Sequence, residues 1–152
     1  MLKLTGACVN GNIITMDIVA PIYWWMDFDS TNLAIDCEEG PIGEKDFTLD
    51  NFSYEGGLYE NLLLDTIAIL NRLKRDYELE RDPKIKKDTL MEIVQLLPLS
   101  YNWKKLVTVD INKAVQVAES KRGSNYFEWE LFEIFLKREL IPYIQTKIPI
   151  RK

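Results

Sequence analysis

Leu2-Lys3-Leu4-Thr5-Gly6-Ala7-Cys8-Val9, then Asn10-Gly11, then Ile13-Ile14-Thr15-Met16-Asp17-Ile18-Val19 is the stretch that decides the fold. Its first arm alternates loosely, its second is rich in β-branched residues, and Asn-Gly between them is a strong two-residue hairpin signal because both positions tolerate positive φ. Two antiparallel strands joined at Asn10-Gly11 are predicted, with Pro21 ending the second. The next residues, Ile22-Tyr23-Trp24-Trp25-Met26-Asp27-Phe28, fit a buried strand or a helical turn equally well. On a strand the adjacent tryptophans would face opposite sides, so one of them is expected off the main core.

Outward from the hairpin, residues 29–57 carry many Asp, Glu, Gly, Asn and Ser and read as a long irregular surface segment anchored by Phe47, Leu49 and Phe52. Leu62, Leu63, Ile67, Leu70, Leu73 and Tyr77 recur at three- and four-residue steps, which predicts a helix from Glu60 to about Glu80. Asp82-Pro83 opens a second helix to about Leu97, and Pro98 ends it. A helical turn is expected at Tyr101–Lys105, and a third helix at about Asp110–Lys121, stopped by Gly123. A last helix should run from about Asn125 to Gln145, with Pro142 kinking or shortening it. The expected fold class is α+β, an N-terminal antiparallel pair followed by a mostly helical remainder. The chain reads as a single domain over 1–152, β-rich in 1–30, irregular and acidic in 31–58 and helical in 59–146.

Composition narrows the chemistry. With 47% hydrophobic and 28% charged residues over 152 positions, the chain has the balance of a folded domain. Its net charge of −5 argues against nonspecific nucleic-acid binding, which needs clustered cations. There is no histidine, which removes Ser-His-Asp and Cys-His catalysis and leaves acid–base work to carboxylates, Lys, Tyr or Cys. Cys8 and Cys37 have no metal-ligand spacing, so no metal site is expected and free buried thiols are. The first residues lack a signal-peptide core, and no apolar run approaches the roughly 18–20 residues of a membrane span, so a cytoplasmic location is expected.

Two short stretches could meet a ligand. Pro98-Leu99-Ser100-Tyr101-Asn102-Trp103-Lys104-Lys105 combines rings for stacking with ammonium groups for phosphate; it also fits a helix–helix connection with an exposed basic pair. Lys121-Arg122-Gly123 is a second basic spot, or a helix C-terminus where the dipole favours cations. No catalytic residues are assigned. The acidic set Asp27, Asp29, Asp36, Glu38 and Glu39 reads as a solvated loop, or as an acidic face toward a protein partner.

Three segments in order, Asp17 to Ser30, Leu96 to Thr108, and Lys121-Arg122 followed by Glu128-Trp129-Glu130-Leu131-Phe132, resemble a family of small bacteriophage and prophage proteins that is itself similar to flavin-dependent thymidylate synthases. The resemblance implies a thymidylate-synthase-complementing-like fold, homo-oligomers and a nucleotide-sized pocket. The chain departs from the family pattern: acidic residues follow Phe28 where the relatives keep a Ser, Thr and His cluster. Asp110 stands where the family has Asn, and Lys121 where it has Arg. The expectation is therefore a catalytically degenerate protein that binds a nucleotide or nucleotide-like ligand through Tyr101, Trp103, Lys104, Lys105, Lys121 and Arg122. No cofactor is expected, with FAD admitted only if the family activity survives. The alternatives are a viral inhibitor that binds a host defence protein through an acidic surface, and an active flavin enzyme.

Overall fold

The structure, a computed structural model, describes residues 2–145 and the side chains of residues 2–138. Strands β1 (Lys3–Asn10) and β2 (Ile13–Pro21) form the expected hairpin one residue further on: Asn10 pairs with Ile13, so Gly11-Asn12 rather than Asn10-Gly11 is the two-residue loop, with Gly11 at φ 66°, a conformation glycine adopts without a Cβ penalty. Helix α1 (Ile22–Asp29) follows directly. Then come the short strand β3 (Ile35–Glu38), a 3-10 turn at Leu49–Asn51, and helices α2 (Glu60–Leu79) and α3 (Pro83–Leu96). Strand β4 (Asn102–Asp110) and helices α4 (Ile111–Ser120) and α5 (Glu128–Gln145) complete the chain. The four strands form one antiparallel sheet in the order β1-β2-β4-β3, so the fold class is α+β.

Strand β4 corrects the expected helical turn at Tyr101–Lys105. It lies in the sheet interior, paired with β2 along its whole length from Ile13↔Asp110 to Pro21↔Asn102. The acidic segment supplies β3, which pairs with the other side of β4. The physical reason is alternation: Val107 and Val109 are buried against Met16 and Ile14, while Leu106 and Thr108 face the uncovered side of the sheet.

Helices α1, α4 and α5 cover one sheet face and enclose the larger core, built on Ile14, Met16, Ile18 and Val107 with Trp24, Phe28, Trp129 and Phe132. Both adjacent tryptophans belong to it, contrary to expectation: a helix separates neighbours by about 100° rather than 180°, so one face of α1 buries the pair. The thiols are also corrected. Cys8 and Cys37 are both exposed, because their strand positions point to the uncovered face. Helix α5 continues past Pro142 to Gln145, so the proline does not shorten it there.

A second, smaller core joins α2 and α3 to the loop before them through Phe47, Phe52, Leu63, Leu70 and Ile93. Asp82 caps α3 by accepting from the backbone N–H of Lys84 and Ile85, with Pro83 at the first helical position. Tyr101 and Trp103 pack against this core, and Trp103 touches the larger one too.

Candidate functional site

The start of β4 positions four of the six ligand candidates. Tyr101 precedes the strand, bridges to Phe52, and sets its ring edge-on to Phe47, Phe52 and Trp103, with centroids 5.7, 5.6 and 6.0 Å away. Burial, and after it the charge of Glu39, pushes its phenol above the ordinary value. Trp103 is held at both ends. Its Nε1 donates to the carbonyl of Glu39 at 2.7 Å, and its own carbonyl accepts from Nε1 of Trp25 at 2.9 Å.

Alternation sends the two lysines to opposite sides of the sheet. Lys104, opposite Val19, reaches Glu39 at 3.4 Å. Lys105, opposite buried Ile18, runs its stem along the helix-covered side. Its ammonium meets Glu38 at 3.1 Å and lies 5.1 Å from the Trp25 ring centroid.

Tyr101, Trp103 and Lys104 share a cleft of about 650 Å³ between β4 and the segment 39–51. Lys45 and the carboxylates of Glu39, Glu44 and Asp46 also line it. Asn51 and Asn102 present side-chain amides there. Each has its Oδ1 engaged, Asn51 by the N–H of Thr48 and Asn102 by the Ser53 hydroxyl, and neither Nδ2 holds a hydrogen bond among the described residues.

The wall of this cleft is fastened from behind. Asn71 on α2 exchanges hydrogen bonds with the backbone N–H and C=O of Phe47. Lys74, a lysine only 2% exposed, donates to the carbonyl of Glu44 and lies 3.5 Å from Asp46 and 3.3 Å from Glu78. Lys74 was not legible as a site residue in the sequence, because its role depends on Glu44, 30 residues away, and the part Asn102 plays depends on Ser53, 49 residues away. Asn51 is held only by Thr48 nearby, and nothing in its own stretch marks it as a site residue.

Lys121 and Arg122 lie elsewhere, at the C-terminal end of α4. Lys121 pairs with Asp27 at 3.0 Å and stands 5.4 Å from the Trp129 ring centroid. Arg122 donates from Nε to Glu133 at 2.7 Å, and Lys137 donates to the same carboxylate at 2.9 Å. These two cations hold the Glu133 carboxyl down at about 2. Lys121 and Arg122 together line two cavities of about 350 and 440 Å³, neither of which reaches the β4 residues.

Three packed indoles separate the two groups. Lys105 covers Trp25; Trp25 and Trp129 flank Trp24 with centroids 5.0 and 4.9 Å from it; Lys121 covers Trp129. The structure thus gathers Tyr101, Trp103 and Lys104, places Lys105 beside a smaller cavity with Trp103, and leaves Lys121 and Arg122 apart. Of the acidic set, Asp27, Glu38 and Glu39 each face a lysine rather than forming an unpaired negative face.

Among the described residues no group of three or more His, Cys, Asp or Glu side chains is placed to hold a metal ion, and no helix is long and apolar enough to cross a membrane. No family model, no curated protein and no solved structure matches the chain.

Proposed function

We propose that this protein binds, without transforming, a nucleotide-like ligand of low charge in the cleft beside β4. The observation that supports the reading is the company kept there: two flat rings, Tyr101 and Trp103, beside the amides of Asn51 and Asn102, whose Nδ2 groups hold no hydrogen bond among the described residues while each Oδ1 is engaged. Rings stack on a base through dispersion, and amide N–H groups meet its carbonyl and ring-nitrogen acceptors. Charge restricts the choice. Lys45 and Lys104 face three carboxylates, so a triphosphate would be repelled strongly, a singly charged cyclic monophosphate far less and a nucleoside not at all.

The resemblance to thymidylate-synthase-like phage proteins points to the same ligand class. The departures after Phe28, at Asp110 and at Lys121 are the reason no reaction is assigned. Asp110 is occupied as the cap of α4, accepting from the N–H of Lys113 at 3.0 Å.

The reading is tested by titrating the protein calorimetrically with nucleosides, cyclic monophosphates and triphosphates. Saturable binding is expected for the first two classes and weaker binding for the third. Trp103→Ala should cut affinity by about tenfold, the worth of one base–ring stack. Failure of every compound to saturate would overturn the proposal.

A further inference from the structure

A different cavity, of about 400 Å³, opens between α1, the segment 53–55 and the start of α5. Four rings, Tyr23, Tyr54, Tyr126 and Phe127, line it together with the carboxylates of Glu55 and Glu128, and among the described residues no lysine or arginine does. Phe127 is 57% exposed and Tyr126 39%, so the rings stand at the mouth, while Glu128 is only 6% exposed and lies within. Tyr23 and Tyr126 pack with centroids 5.2 Å apart.

Glu128 is the telling residue. The Tyr23 hydroxyl donates to its Oε1, while its Oε2 holds no hydrogen bond and the carboxylate pairs with no cation among the described residues. The other buried ionic residue among the described residues, Lys74, is compensated by two carboxylates and a carbonyl. A carboxylate set this deep, without a counter-charge among the described residues, is one that a bound cation would complement. The neighbouring phenol reports the same negative surroundings. Tyr23 ionises well above the ordinary value, through burial first, then its bond to Glu128 and the charges of Glu128 and Glu55.

We propose that this cavity binds an organic ammonium ion, with the charge on Glu128 and the alkyl groups against the rings. Ring faces attract cations through their quadrupole, and a desolvated carboxylate supplies the ion pair. This site is separate from the nucleotide-like cleft and does not depend on it.

The test is calorimetric titration of the full chain with choline, with butylammonium, and with the neutral analogue of choline in which carbon replaces nitrogen, all at constant ionic strength. Both cations should saturate, and the neutral analogue should not. Glu128→Gln keeps the shape and an acceptor for Tyr23 but removes the charge, and should weaken choline at least tenfold. Phe127→Ala, at an exposed ring that leaves the fold intact, should weaken it several-fold and keeps the test decisive if the Gln variant misfolds. Equal binding of the neutral analogue, unchanged affinity in both variants, or no saturation by either cation would overturn the proposal.

Discussion

The indole Nε1 of Trp129 donates to Oδ2 of Asp27 at 2.6 Å, across 102 residues of chain. Asp27 takes Lys121 on its other oxygen, so a single carboxylate on α1 fastens α5 and the end of α4. Asp27→Ala would leave a buried indole N–H and a half-buried ammonium unpaired. The expected loss is about 2–3 kcal/mol, since hydrogen bonds to charged groups are worth more than neutral ones. Urea unfolding should show it as a lower midpoint with an unchanged slope, and Asp27→Asn should recover part of the loss through the Trp129 bond.

Lys74 provides a second check, on the wall of the nucleotide-like cleft. Lys74→Ala creates a cavity in the smaller core and should cost about 2–4 kcal/mol. Lys74→Met keeps the volume and should cost about 1 kcal/mol or less, because the buried ion's desolvation is relieved as its pairs are lost. Both variants free the carbonyl of Glu44 from its donor. Limited proteolysis should therefore cut between residues 42 and 50 faster in both, even where the global stability barely moves.

Acid should probe the Arg122–Glu133–Lys137 cluster. The Glu133 carboxyl is lowered from 4.5 to about 2 by hydrogen bonds from Arg122 and Lys137. A folded value below the unfolded one means the contribution is present in full above pH 4.5 and fades as pH falls toward 2. Arg122→Ala removes the larger cause. The gap in melting temperature between the two proteins should therefore be widest near neutral pH and close across that acid window. A gap that stays constant to pH 2 would show that the pair carries no such linkage.

Strand β4 carries its own prediction. Val107 is fully buried opposite Met16, while Leu106, its neighbour, faces the uncovered side of the sheet opposite Asp17. Val107→Ala should cost about 2 kcal/mol, in the range of large-to-small core changes, and Leu106→Ala distinctly less. Were these residues helical, a period of 3.6 would not separate such neighbours so sharply.

The sequence alone determined what short-range physics controls. Gly11 marked the first hairpin because few residues accept the positive φ of its turn, although the loop itself is Gly11-Asn12. The three- and four-residue spacing of Leu63, Ile67 and Leu70 dictated α2, and Asp82-Pro83 dictated where α3 begins. Tertiary structure alone decided β4, since Trp103 and Lys105 lie on the same strand face as Val107 and break the polar–apolar alternation that marks a strand. Only the partner β2, more than eighty residues earlier at each paired position, fixes that face. The same holds for the ligand candidates: residue type suggested rings and cations, but the strand's two faces and three intervening indoles determined which of them share a hollow. Glu128 shows the limit most plainly, because the lack of a counter-charge beside it among the described residues is a property of what folds around it.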